Sequence, residues 1–124
     1  MVAADTSSMV AFLQEGEGDD VEVIQSALEH QQLVLPPVVL TELLSEPALP
    51  QAVRSLLTAL PQLNIEPGYW ERAGLLRASI LKQRRTARIA DALIAQCCLD
   101  QSVPLVTRDK DFRHFARAAG LALL

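Results

Sequence analysis

Pro104-Leu105-Val106-Thr107-Arg108-Asp109-Lys110-Asp111-Phe112 reads as a short buried strand, a tight acidic turn and the start of a helix. Phe112, Phe115, Ala116 and Ala119 mark the apolar face of that helix, and Gly120 ends it as a C-terminal cap. The same alternation runs through the rest of the chain. Met1–Ala4 is a short apolar run ending at Asp5, with helix expected over Met9–Gln14 and, after the loop Glu15–Asp20, a helix carried by Val21, Ile24, Ala27 and Leu28. Asp19 or Asp20 is the expected cap of that second helix. Leu33-Val34-Leu35 reads as a buried strand, and Pro36-Pro37 opens a helix through Val38–Ser45. Amphipathic helix is expected again over Gln51–Leu60 and two further helices over Tyr69–Gln83 and Thr86–Gln101, with a third short strand at Leu63–Ile65 and an edge strand at Leu121–Leu124. Short apolar strands separated by helices imply a parallel sheet covered on both faces. The expected fold is therefore α/β, one domain over residues 1–124 in three layers, α/β/α, around a central parallel sheet of four to five short strands. Ligands in such folds bind beyond the carboxyl ends of the strands, which directs attention to Asp5 and to the turn Thr107–Asp111.

Composition excludes several classes. The chain has 124 residues, half of them apolar, which suits one core. No apolar run approaches the ~18–20 residues of a membrane span, and Met1–Asp5 lacks the layout of a signal peptide. The two cysteines, Cys97 and Cys98, are adjacent in an apolar segment. They exclude a disulfide framework, make a reducing cytoplasm the expected compartment and read as core packing. Two histidines and two cysteines do not make a zinc site at the usual spacings. The five glycines form neither GxGxxG nor a P-loop, and no GxSxG elbow exists. His30 and His114 read as surface residues.

The charge is unevenly spread. Residues 1–71 hold eleven acids and one base, Arg54, for a net of −10, whereas residues 72–124 hold ten bases and four acids, for a net of +6. A polyanion partner and mutual neutralisation of the two halves account for this equally well.

The chemistry available is carboxylate chemistry. Asp5 follows a strand and precedes a helix, where alone it is an N-cap. Glu42 falls at the border of an apolar helix face, between Val38 and Val39 on the wheel. Asp91 stands out, because from Ile89 to Leu99 only Asp91 and Gln96 are polar. The residues stacked on its face, Ala87, Ala95 and Cys98, are small, and Arg88 is the one nearby counter-charge. A carboxylate buried there has to be paired, protonated or metal-bound. Asp109 and Asp111 lie at the expected ligand edge, and one of them serves equally as the cap of the last helix. Four converging acids repel one another, by about 4 kcal/mol per pair at 4 Å and a protein-like dielectric, and require protons or cations. All-oxygen ligation selects Mg²⁺ or Mn²⁺. The stretch Arg72–Arg88 carries six bases and no acid and could hold a phosphate backbone alongside. Tyr69 and Trp70 could stack on bases, although the spacing of Trp70 with Ala73 and Ile80 fits core or dimer packing better.

Asp5-Thr6-Ser7, Thr41-Glu42-Leu43-Leu44, Arg88–Ala95 and Leu105–Phe112 together resemble the PIN domain, and most nearly the VapC-type toxins of prokaryotic toxin–antitoxin pairs. The acids at 5, 42, 91 and 109 are spaced by 37, 49 and 18 residues, and the likeness covers essentially the whole chain. The resemblance implies an endoribonuclease dependent on Mg²⁺ or Mn²⁺, homodimeric and silenced by a cognate antitoxin. It implies Asp5, Glu42, Asp91 and Asp109 as the catalytic acids, with Asp5, Asp91, Asp109 and Asp111 on the metal. Ser7 and Thr107 would be supporting hydroxyls, and Arg84, Arg85, Arg88 and Arg108 would hold RNA. The Ala3-Ala4 pair departs from the family's Ile/Val-rich first strand. The alternatives are a non-catalytic PIN-like binding subunit and a phospho-acceptor receiver module. The receiver would need an aspartate after the third strand, where Glu66-Pro67-Gly68 stands, and a lysine after the fifth.

Overall fold

A computed structural model describes residues 1–124. The element order is β1 (Val2–Ala4), α1 (Thr6–Leu13), α2 (Asp19–Glu29), β2 (Leu33–Val34), α3 (Pro37–Leu44), α4 (Gln51–Ala59), α5 (Tyr69–Lys82), α6 (Ile89–Gln101), β3 (Leu105–Val106) and α7 (Phe112–Ala119). The strands pair in parallel in the order β2-β1-β3, with Val2 opposite Leu33, Ala3 opposite both Val34 and Leu105, and Ala4 opposite Val106. Right-handed crossovers that run in opposite directions across the sheet, β1 to β2 and then β2 to β3, place their helices on opposite faces. In keeping with this, α5, α6 and α7 pack on one another, and α1 packs on α2.

The sheet has three strands, fewer than the four to five that the sequence predicts. The two outer candidates each shrink to a single parallel bridge, Gln62 beside Leu35 and Leu123 beside Leu105. Leu35 donates to Pro61 O and receives from Leu63 N; the next donor of that ladder would be Pro37, which has no N–H and opens α3, so the ladder stops. At the other edge, the left-handed Gly120 (φ 77°) turns the chain after α7 and lays only Ala122 to Leu124 beside Leu105.

Two helix starts also differ from expectation. Gly18 (φ 140°) precedes α2, and Asp19 and Asp20 lie in its first turn, not at its cap. Helix α6 begins at Ile89, not Thr86, because Arg77 Nε donates to Ala87 O at 2.7 Å and holds the preceding segment out of the helix.

The core is built around Ala3 and Ala4, both fully buried, whose small side chains let helices approach the central strand from both sides. Met9, Ile24, Leu33, Leu35, Leu57, Ile80, Ile94, Leu105, Phe112 and Phe115 complete it. Cys97 and Cys98 are buried there too, and burial pushes their thiols up to about 11 and about 12. Trp70 does not join the core: it is 64 % exposed, while Tyr69 turns inward and donates its hydroxyl to Leu93 O at 2.6 Å. Phe115→Ala is expected to cost about 3–5 kcal/mol of unfolding free energy in urea titrations, and Leu75→Ala on the surface less than about 0.5.

Candidate active site

The register of β1 on β3 carries the site. Because Ala4 faces Val106, the next residues, Asp5 and Thr107, leave the sheet side by side at its carboxyl edge. Asp5 N–H still donates to Val106 O at 3.2 Å. Chain direction diverges at this edge, since the connections after β1 and β3 cover opposite faces, and a crevice opens there.

Asp5 is 2 % exposed and takes hydrogen bonds on both carboxylate oxygens. Ser8 N–H reaches Oδ1 at 2.9 Å, as a helix cap would, Ser7 Oγ lies 3.0 and 2.8 Å from the two oxygens, and Thr107 Oγ1 donates to Oδ2 at 2.5 Å. Burial raises the Asp5 carboxyl, and the donors from Thr107, Ser8 and Ser7 pull it back down in part. Thr107 Oγ1 in turn accepts Asp109 N–H at 2.9 Å, and Asp109 Oδ1 accepts Asp111 N–H at 2.9 Å.

Asp91 enters from the first turn of α6. Its Oδ2 is the one buried side-chain oxygen or nitrogen in the chain without a hydrogen-bond partner. Burial, then Asp109, and further Asp5 and Glu42 push its carboxyl up to about 6 against the opposing pull of Arg88. Glu42, on the exposed side of α3, has Oε1 held by Thr6 Oγ1 at 2.6 Å. Asp5, Thr6, Ser7, Glu42, Arg88, Asp91, Ile94 and Asp109 line one cleft of about 230 Å³.

The four acids singled out by sequence thus share a cleft with Ser7 and Arg88. As they stand, no three acidic side chains form a ready ligand set for one ion. The chemistry of the donors nonetheless fits a hard divalent cation. All are oxygens, and one is buried without a partner, which a cation would satisfy. Asp111 is outside the cleft lining; its backbone N–H, not its carboxylate, touches Asp109. Arg84 and Arg85 are exposed on the segment between α5 and α6, also outside the lining.

Arg108, expected on the substrate, is engaged elsewhere. Its Nε and Nη2 bind Asp20 at 2.7 and 3.1 Å and its Nη2 donates to Glu17 O at 3.0 Å, holding the Asp20 carboxyl down to about 2. Arg72 is likewise held by Asp100 at 2.5 Å, so it is not available to a phosphate. Sequence reasoning missed Thr6, Ser8 and Asp20. The hydroxyl run Thr6-Ser7-Ser8 directly after Asp5 carried a signal for two of them, whereas nothing local marks Asp20.

A family model described as "PIN domain" matches residues 2–118. Among solved structures the chain is similar to VapBC2 from Rickettsia felis bound to a DNA fragment from their promoter, at 20% identity and a TM-score of 0.74, covering 100% of this chain and 98% of that one. It is also similar to VapBC-5 from Mycobacterium tuberculosis (22%, 0.66, covering 98% and 95%) and to FitAcB from Neisseria gonorrhoeae (19%, 0.70, covering 100% and 96%). No curated protein matches the sequence.

The Asp91 carboxyl gives a test in solution. Between the ordinary aspartate value of 3.8 and about 6, the folded metal-free chain holds a proton that the unfolded chain does not. Its stability therefore rises as pH falls through that window. In EDTA the melting temperature is expected to be higher at about pH 5 than at about pH 7.5. Asp91→Asn should lose most of this difference and match or exceed the parent at the higher pH. A parent profile flat across the window contradicts the reading of the cleft.

Proposed function

The chain belongs to the PIN domain family, and from that premise we propose that it is a divalent-metal-dependent endoribonuclease, the toxin of a VapBC-type toxin–antitoxin pair acting in the cytoplasm. The observation that carries this is the unpartnered, buried Asp91 Oδ2 in a cleft shared with Asp5, Glu42 and Asp109. Asp5, Asp91 and Asp109 would hold Mg²⁺ or Mn²⁺, with the Asp111 backbone keeping Asp109 in place. The bound ion would lower the pKa of a water and neutralise charge on a phosphodiester. Asp5 is fixed before any ligand arrives, since both of its oxygens are already hydrogen-bonded. Glu42 has one oxygen on Thr6, and its second is available to take a proton from a water in the cleft. Arg88, on the cleft wall, would meet the scissile phosphate. Lys82, Arg84 and Arg85, exposed and without salt-bridge partners, would meet the flanking backbone.

The partner is read the same way. The similar solved structures named VapBC support an antitoxin as the silencing partner. An apolar groove on α5 and α6, with exposed Trp70, Leu81 and Ile89 around Gly74 and Ala78, supports a homodimer. Gly74 lies mid-helix, where glycine costs about 1 kcal/mol relative to alanine. Nothing within its own chain needs the missing side chain, because a Cβ there would meet no atom within 4 Å. Close approach by a second α5 supplies the reason. An antiparallel pairing about Gly74 and Ala78 sets Glu71 of one copy against Lys82 of the other.

Purified chain is expected to cut structured RNA with Mg²⁺ or Mn²⁺ and not with EDTA. Asp91→Asn, prepared identically, should lose at least about a hundredfold in rate, since loss even of residues that merely support metal ligands costs about 10–100-fold. Metal-dependent RNA binding without cleavage would instead make the chain a non-catalytic binding subunit. Gly74→Leu should fold at least as stably as the parent yet sediment as a monomer where the parent sediments as a dimer; an unchanged dimer removes α5 from the interface.

A further inference from the structure

Asp5 and four other residues close a ring. Asp5 Oδ1 accepts Ser8 N–H at 2.9 Å, and Ser8 Oγ donates to Asp20 Oδ2 at 2.8 Å. Asp20 takes the Arg108 guanidinium on both oxygens, Arg108 is bonded through its own backbone to Thr107, and Thr107 Oγ1 returns to Asp5 Oδ2. Within the turn Thr107–Asp111, the side chains of Thr107 and Arg108 are the ones that hydrogen-bond to other parts of the fold; the remaining contacts of the turn are local. The turn carries Asp109. Buried Val106 and Phe112 anchor the two ends of the turn, and between them those two tethers orient Asp109 against Asp5.

The loop before α2 is shaped around the same pair. A Cβ on Gly18 would lie 2.5 Å from Asp20 Oδ1 and 3.2 Å from Arg108 Nη2, and φ at that residue is 140°. Backbone conformation thus favours glycine, and any side chain there would have to displace the tips of the ion pair. The pair is partly exposed, with Arg108 at 42% and Asp20 at 11% side-chain accessibility. Such a pair adds little to global stability, although the guanidinium fork fixes direction closely.

We infer that Asp20 and Arg108 are positioning residues, which lock the Asp109 turn and the Ser8 amide around Asp5, and that Arg108 does not contact nucleic acid. This rests on the nuclease reading above as regards activity, but the lock itself is a property of the metal-free chain. Arg108→Lys separates the possibilities, because it keeps the positive charge and loses the fork.

In the metal-free protein, Arg108→Lys and Asp20→Ala are each expected to speed amide hydrogen exchange at Ser8 and Asp109 by about tenfold, with the melting temperature little changed. In Mn²⁺ titrations both should bind the ion about 10–100-fold more weakly. On RNA, kcat should fall while KM stays within about twofold, and the double variant should be no worse than the worse single one, as expected of residues acting through one network. Unchanged exchange at both amides with parent-like Mn²⁺ affinity overturns the inference. So does an Arg108→Ala variant that raises only KM, with Arg108→Lys restoring it, since that pattern marks a phosphate contact. If the parent neither binds Mn²⁺ nor cuts RNA, the nuclease reading falls and the amide exchange alone decides the lock.

Discussion

The parallel pairing of Ala4 with Val106 is the constraint on which the rest of the site depends. It is the last pair of both strands, so Asp5 and Thr107 emerge together and a 2.5 Å hydrogen bond joins residues far apart in sequence. A shift by one residue would reverse which side chains face the core and would break this contact. The register is secured by what lies on either side of it. Ala3 and Ala4 are small enough for helices to close over both faces, and Leu105 and Val106 are fully buried beside them.

The cleft built on that register is electrostatically unfavourable in isolation. Asp91 bears most of the cost. Asp5 is supplied with three donors, Glu42 has a hydroxyl and solvent, but Asp91 has burial, three like charges at a distance and only Arg88 in opposition. Its raised carboxyl pKa and its unpartnered oxygen are two expressions of the same strain. Both are what an oxygen site awaiting a cation would show. The basic residues are sorted by the fold into committed and free. Arg72, Arg77 and Arg108 are tied to Asp100, Ala87 O and Asp20, while Lys82, Arg84, Arg85 and Arg88 remain without ion pairs. The lopsided charge along the chain is therefore partly spent on the fold and partly displayed.

Much of this was legible in the residues alone. The helices appear close to where periodicity places them, because amphipathic spacing is a local property that packing rarely reverses. The four acids were found for a related reason: each is a polar residue in an apolar setting or at a strand's carboxyl end. The misreadings come from contacts with distant residues. Leu63–Ile65 is apolar enough for a strand, but the donor that would continue its ladder is Pro37, which has no N–H. Trp70 has core spacing, yet Tyr69 occupies the inward position and leaves it on the surface. Arg108 stands in the acidic turn as a substrate arginine would, and its direction is set by Asp20, eighty-eight residues away.

The sequence by itself determined the α/β alternation and the parallel sense of the sheet and singled out the four acids that line the cleft, since these follow from local pattern and from the cost of burying charge. Tertiary structure alone decided how many strands pair, which arginines are free and which hydroxyls hold which carboxylate. Those outcomes depend on angles and distances between segments far apart in the chain, and a hydrogen bond or ion pair is won or lost over about an ångström that no local pattern encodes.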